Sequence, residues 1–269
     1  MKIRDIRVCI VRVGGTNCDA ETKRAFEDLG AKASIHHLNE VSRKRNLLDY
    51  HILVFPGGFS YGDYVRAGAI LAKTVMSRIG KEIKSFMDEG RPILGICNGF
   101  QILVEAGLLP GLNGISAYPE AALATNIPIG YRCMWVYLKH EGNGNCASTW
   151  LMPKKRILRM PVAHAEGRFI LPDEKMLNRL LDNGQIILRY CDENGEYAEG
   201  RFPDNPNGSL FDIAGICNPD GTVFGLMPHP ERAYYGWQLP DWTRMGKPPK
   251  YGDGKLIFES LVKYVAKKF

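Results

Sequence analysis

The N-terminal part of the chain repeats an apolar strand-like run followed by a segment with helical spacing. Arg7–Val13 reads as a strand, and Thr16-Asn17 supplies capping residues for a helical stretch that ends at Gly30. Ala33–His37 and Ile52–Phe55 are again strand-like. A long helical pattern then runs from about Ala67 to Glu89 and is stopped by Gly90. The apolar run Ile93–Ile96 passes through Cys97 into another helical pattern. Repeated β-then-α units predict a doubly wound, mostly parallel α/β sheet with helices on both faces. Ligands of such sheets bind beyond the carboxyl ends of the strands.

The pattern changes after about residue 130. Gln185–Cys191 and Glu196–Phe202 flank Asp192-Glu-Asn-Gly195, and Phe211–Cys217 and Thr222–Leu226 flank Asn218-Pro-Asp-Gly221. Both predict β-hairpins added to the same sheet. Residues 234–254 are rich in Gly, Pro and aromatic side chains and predict an ordered surface loop, and a helix from about Leu256 to Lys267 follows. No repeat or linker divides residues 1–269, so a single domain is expected.

The strand-to-helix junction at Pro92-Ile-Leu-Gly-Ile-Cys97-Asn-Gly-Phe-Gln101 carries the sharpest chemistry. Gly95-x-Cys97-x-Gly99 is a nucleophile elbow with cysteine in the serine position, and the helix N-terminus beneath it favours a thiolate. A thiol nucleophile needs a base with an orienting partner. Two segments offer the same spacing, His229-Pro-Glu231 after an apolar strand and His164-Ala-Glu166. Two positions apart, His229 and Glu231 can project to one side of an extended segment, but spacing alone does not choose between the pairs. Acyl chemistry also needs oxyanion donors. The N–H of Asn98 is one candidate, and the glycine-rich Pro56-Gly-Gly58-Phe-Ser-Tyr-Gly62 turn after a strand offers another.

Composition narrows the partners. The net charge of +6 comes in small groups (Arg43-Lys44-Arg45, Lys154-Lys155-Arg156, Lys267-Lys268). These argue for solvated faces or an acidic protein partner over nucleic acid. No run reaches membrane-spanning length, and no leader pattern precedes the first strand, so no membrane association and a cytoplasmic location are expected. The seven cysteines are scattered singly, which predicts reduced thiols with neither a disulfide framework nor a metal site. Asn207-Gly-Ser209 reads as a turn.

Pro56-Gly57-Gly58, Gly95-Ile-Cys97-Asn-Gly-Phe-Gln101 and His229-Pro-Glu231 together resemble the class I glutamine amidotransferases, and within them those serving a purine-synthesis ligase. The residues 57–68, 161–169, 205–209 and 225–232 carry the more specific part of the resemblance, which spans about residues 7–232. It implies a flavodoxin-like fold and an L-glutamine substrate. Cys97, His229 and Glu231 take the triad positions. Gly58 and Asn98 amides would stabilise the oxyanion, and Gln101 would help hold the substrate. It also implies that ammonia passes to a synthetase (large) subunit, with a small accessory subunit completing the assembly.

No Gly-x4-Gly-Lys-Ser/Thr phosphate loop or nucleotide–magnesium acidic cluster occurs in this sequence. No cofactor is therefore expected here, and ATP and magnesium are expected on the partner. Ala165 stands where the family has glycine, and the 237–251 segment is longer than usual. Competing readings are a γ-glutamyl hydrolase, an amidotransferase for another acceptor, or a silent scaffold carrying an elbow cysteine.

Overall fold

The computed structural model describes residues 1–44 and 46–269; Arg45, part of the basic group noted above, lies outside the described residues. Four strands come first along the chain: β1 (Arg7–Arg12), β3 (Ile52–Phe55) and β4 (Ile93–Ile96), with buried centres, and β2 (Lys32–His37), with a half-buried one. Between and after them run α1 (Asp19–Asp28), α2 (Leu38–Lys44), α3 (Ala69–Asp88) and α4 (Asn98–Glu105). Strands β5 (Ala122–Ala124), β6 (Arg132–His140), β7 (Ile157–His164) and β8 (Arg168–Ile170) follow, then α5 (Glu174–Asp182). The chain continues through β9 (Ile186–Cys191), β10 (Ile213–Cys217) and β11 (Val223–Leu226) to α6 (Lys255–Lys268).

Nine strands form one sheet in the order β2-β1-β3-β4-β11-β10-β9-β6-β7, and β5 and β8 pair separately. The pairings from β2 across to β11 are parallel, and those from β11 outward to β7 are antiparallel. The α/β fold is therefore the expected one, extended by an antiparallel wing. Helices α1 and α6 pack together, with Phe26 meeting Phe258 edge-on at 5.1 Å, while α2, α3 and α4 form a second helical group. No helix among the described residues is long and apolar enough to cross a membrane.

The register that matters most for the site is β11 beside β4. Gly225 pairs with Gly95 and Leu226 with Ile96, so both strands end at the same level. The Cys97 amide donates to the Leu226 carbonyl at 2.8 Å. The chain after β4 and the chain after β11 therefore leave the same rim side by side. The 56–68 loop after β3 reaches that rim too, and Gly58 there bridges to Thr16 in the turn after β1.

Three local expectations change. The first helix is not capped by Thr16-Asn17: it opens at Asp19 after Cys18, with no side-chain cap, while the Thr16 hydroxyl takes the Val13 amide. The Thr22 hydroxyl donates back to the Cys18 carbonyl at the start of this helix. The 185–202 hairpin is only half formed. β9 stands, but residues 196–202 touch it through the single bridge Cys191–Tyr197. Glu199 turns to φ 51°, and the Asp212 carboxylate takes the Glu199 and Gly200 amides, which draws the segment away from β9. β9 pairs with β6 and β10 instead. The second hairpin forms as β10 and β11, starting at Ile213 because Phe211 and Asp212 both adopt positive φ. The 234–254 loop is ordered by an aromatic cluster of Tyr234, Tyr235 and Tyr251 and by a Tyr234 hydroxyl donation to Asp28.

Candidate active site

Cys97 sits between β4 and α4 at φ 50° and ψ −105°, a conformation that L residues rarely adopt and that elbows store as strain. The strain persists because the turn is packed shut. A β-carbon on Gly99 would lie 1.8 Å from the Phe55 carbonyl oxygen, so only glycine lets α4 approach β3 this closely. Cys97 is buried, and its sulfur lies 3.6 Å from the Ala163 carbonyl at the end of β7.

His229 is held from both ends. Its amide donates to the Pro161 carbonyl on β7, and its ring Nδ1 bonds the Glu231 carboxylate at 2.6 Å. Glu231 reaches the ring from a short 3-10 turn, Pro230–Ala233, and not from an extended segment as the spacing suggested. Proline at the first position of that turn fixes the backbone that aims the carboxylate back. Both side chains are buried, and His229 Nε2 has no hydrogen-bond partner. Burial works against a charged imidazole here. The Glu231 carboxylate and the Cys97 thiolate outweigh it, so the pKa of His229 stands well above its ordinary value. The proton is thus placed on the ring, which makes it available as a general acid.

The rival pair does not assemble. His164 Nδ1 faces the Asn126 side chain at 3.2 Å, and Glu166 turns away to accept the Ala67 amide at 3.0 Å. Burial first, then the positive charge of His229, pushes the His164 pKa down to about 3. It is a poor base.

Gly58 and Gln101 line the same small cavity as Cys97, and Asn98 begins α4, where its amide is one of the helix's orphan donors. Gly58 sits at φ 150°, with its backbone pressed against residues 15–17, a close approach that a β-carbon would block. The Asn98 side chain ties the site together. It accepts the Ser60 amide at 3.2 Å and donates to Gln101 at 3.0 Å and to Asp63 at 3.3 Å. The cavity beside Cys97 is small, about 50 Å3, room for a few waters.

Cys18, Asp63 and Asn126 were not singled out from sequence. Cys18 lies 3.9 Å from His229 Nδ1 and accepts from Arg232 at 3.2 Å; burial, then Glu231, raises its thiol pKa. Its sulfur, His229 and Glu231 place donor atoms within 4.8 Å of one another. The set fits a hydrogen-bonded cluster better than a zinc site. Ligands around zinc stand about 3.3 Å apart, whereas the His229–Glu231 pair is at 2.6 Å and a guanidinium already occupies the sulfur.

An elbow thiol, a carboxylate-held histidine and the first amides of α4 thus meet at the carboxyl end of the parallel strands. Residues 5–265 match the CobB/CobQ-like glutamine amidotransferase domain. The chain is 46% identical over 280 residues to the phosphoribosylformylglycinamidine synthase subunit PurQ of Archaeoglobus fulgidus, covering 99% of this chain and 100% of the relative. It is 44% identical over 219 residues to the PurQ subunit of Aquifex aeolicus, covering 81% and 87% of the two chains. Among solved structures, a chain of PurLQS from Thermotoga maritima superposes with a TM-score of 0.73 at 36% identity, covering 97% of this chain and 99% of that one. The protein belongs to the family of phosphoribosylformylglycinamidine synthase PurQ subunits, within the glutamine amidotransferases.

Proposed function

We propose that the protein is the glutaminase subunit of a phosphoribosylformylglycinamidine synthase. It hydrolyses L-glutamine to glutamate and delivers the ammonia to a synthetase subunit. That subunit uses ATP and magnesium to convert formylglycinamide ribonucleotide to formylglycinamidine ribonucleotide. The observation that carries the chemistry is the buried His229–Glu231 pair at 2.6 Å beside the strained Cys97.

In this reading Cys97 attacks the glutamine carboxamide carbon. The oxyanion is met by the Gly58 and Asn98 amides. His229 gives its proton to the departing ammonia, which leaves a γ-glutamyl thioester. The histidine, now neutral, takes a proton from water, the resulting hydroxide attacks the thioester, and glutamate leaves with the thiolate restored. Glu231 keeps the ring oriented and stabilises its charged form in both halves. Gln101 contributes to the substrate wall.

The likeness to a PurLQS chain supports a synthetase partner and a small accessory subunit. Reduced thiols fit a cytoplasmic location for the assembly. The test is formylglycinamidine ribonucleotide formation by this chain with its synthetase, ATP and formylglycinamide ribonucleotide. Glutamate release that tracks product formation supports the proposal. Glutamate release with no requirement for that acceptor at any partner ratio would instead favour a γ-glutamyl hydrolase.

A further inference from the structure

The Nδ1 edge of His229 meets a second side chain besides Glu231. Cys18, in the turn between β1 and α1, places its sulfur 3.9 Å from Nδ1, and both residues are buried. The thiol hydrogen is donated to the Asn17 side-chain oxygen at 3.2 Å. That leaves the sulfur lone pairs for the Nδ1 edge and for the Arg232 guanidinium, also at 3.2 Å. Burial first, then the charge of Glu231, raises the thiol pKa, so the sulfur stays neutral and is a weak nucleophile. Its place beside the histidine calls for another task.

The backbone fixes Cys18 where it stands. Its amide donates to the Gly57 carbonyl at 3.1 Å, and its own carbonyl takes the Thr22 hydroxyl at 2.7 Å. A β-carbon on Gly57 would lie 2.7 Å from His229 Cε1 and 3.2 Å from the Cys18 sulfur, so ring edge, sulfur and turn pack with nothing between them. Arg232 shows what the sulfur does. It follows Glu231 in the same 3-10 turn, and Glu231 Oε2 is buried with no hydrogen-bond partner. A guanidinium matches a carboxylate with two parallel hydrogen bonds, so Arg232 is a competitor of His229 for Glu231. Its Nη2 goes instead to Cys18, and its ion pair is with Glu21 at 3.8 Å.

We propose that Cys18 is a positioning residue for the His229–Glu231 pair: its sulfur closes the Nδ1 edge of the ring and anchors Arg232 away from the Glu231 carboxylate. The proposal rests on the glutaminase reading of Cys97. Cys18 acts through the histidine and does not line the Cys97 cavity, so its effect falls on kcat and leaves KM for L-glutamine nearly unchanged. The titratable and charged groups around the ring are Glu231, Arg232, Cys97, Cys18, His164 and Tyr131. Without the sulfur, Arg232 is free to turn onto Glu231. That weakens the hold of the carboxylate on the ring proton and brings a positive charge closer, and both lower the His229 pKa.

The experiment measures kcat, KM and the pH profile of L-glutamine hydrolysis by the full chain assembled with its synthetase. Cys18→Ala is expected to lower kcat about 3- to 10-fold, the worth of one ordinary hydrogen bond, and to move the alkaline limb of kcat/KM to lower pH. Cys18→Ser keeps a donor and an acceptor at the same place and is expected to restore most of both. If melting curves show that Cys18→Ala does not fold, Cys18→Val, which fills the site without an acceptor, takes its place. A folded apolar variant with the parent's kcat and alkaline limb overturns the proposal. So does a Cys18→Ser variant as impaired as the apolar one, because the role would then be packing alone. Failure of the unsubstituted complex to hydrolyse L-glutamine overturns the glutaminase reading instead.

Discussion

Replacing Glu231 by glutamine keeps the shape of the site and removes one charge. The carboxylate is buried and bonds His229 at 2.6 Å, and it is the leading group that holds a proton on the ring against burial. Two unit charges about 4 Å apart attract by ~4 kcal/mol at an effective dielectric of about 20. The glutamine oxygen can still accept from Nδ1, so part of the interaction survives, and roughly 2–3 kcal/mol should be lost. That corresponds to about a 30- to 150-fold fall in kcat for glutamine hydrolysis. The sign of the pH effect is also fixed. Glu231 raises the His229 pKa, so its removal lowers that pKa and the imidazolium is lost at lower pH. The alkaline limb of kcat/KM should therefore move to lower pH in Glu231→Gln. Steady-state glutaminase assays across pH, with the synthetase present, measure both effects. A variant within about threefold of the parent, with an unmoved alkaline limb, would refute the role given to the pair.

Other outcomes follow from the same geometry. Asp63 has a folded pKa of about 6 against an ordinary 3.8, so its protonated form adds stability below 3.8 that is lost as pH rises through about 6. Near pH 7.5 the ionised carboxylate should then cost roughly 1 kcal/mol, after discounting for solvent at a half-buried site. Asp63→Asn should melt above the parent near pH 7.5 and level with it below about pH 3.5; equal melting at both values would contradict this. Gly99→Ala places a β-carbon 1.8 Å from the Phe55 carbonyl and should destabilise the fold by several kcal/mol in denaturant titration, with an unchanged midpoint counting against the elbow packing. Cys97→Ser should abolish glutamine-dependent synthesis while ammonia-dependent synthesis by the complex persists. Loss of both would make the cysteine structural.

The parallel half of the sheet was legible because its strands are short apolar runs ended by glycine or proline signals. Ile52–Phe55 and Ile93–Ile96 appear in the structure with the bounds read from sequence. Of the antiparallel wing, β9, β10 and β11 were legible as hairpin strands, while the outer strands β6 and β7 were not. β7 alternates half-buried with buried positions, follows a basic cluster and contains Pro161, which disguises it as a loop. Proline is tolerated there because β7 is an edge strand, and the Pro161 carbonyl is what holds His229. Residues 196–202 carried a strand pattern, but the buried Asp212 carboxylate took their amides, a tertiary contact that no local signal reports. At the site, Cys97, His229 and Glu231 stood out through spacing and flanking glycine or proline. His164–Glu166 had the same spacing, and only Asn126 and the Ala67 amide, both distant in sequence, separate the two pairs. Cys18 lies next to His229 because residues 15–18 pack on the 57–58 turn, which a scattered cysteine does not reveal.

The central claim is that Cys97, and not its neighbour, is the nucleophile. Peptide mapping after treatment with an electrophilic glutamine analogue, with the synthetase and its ligands present, tests it most directly. Two other thiols make the result informative: Cys133, which is exposed, and Cys18, which sits 3.9 Å from the same histidine with a raised pKa. The account predicts modification at Cys97 that L-glutamine protects against. Glutamine-protected labelling of Cys18, or no protected labelling at all, would contradict it.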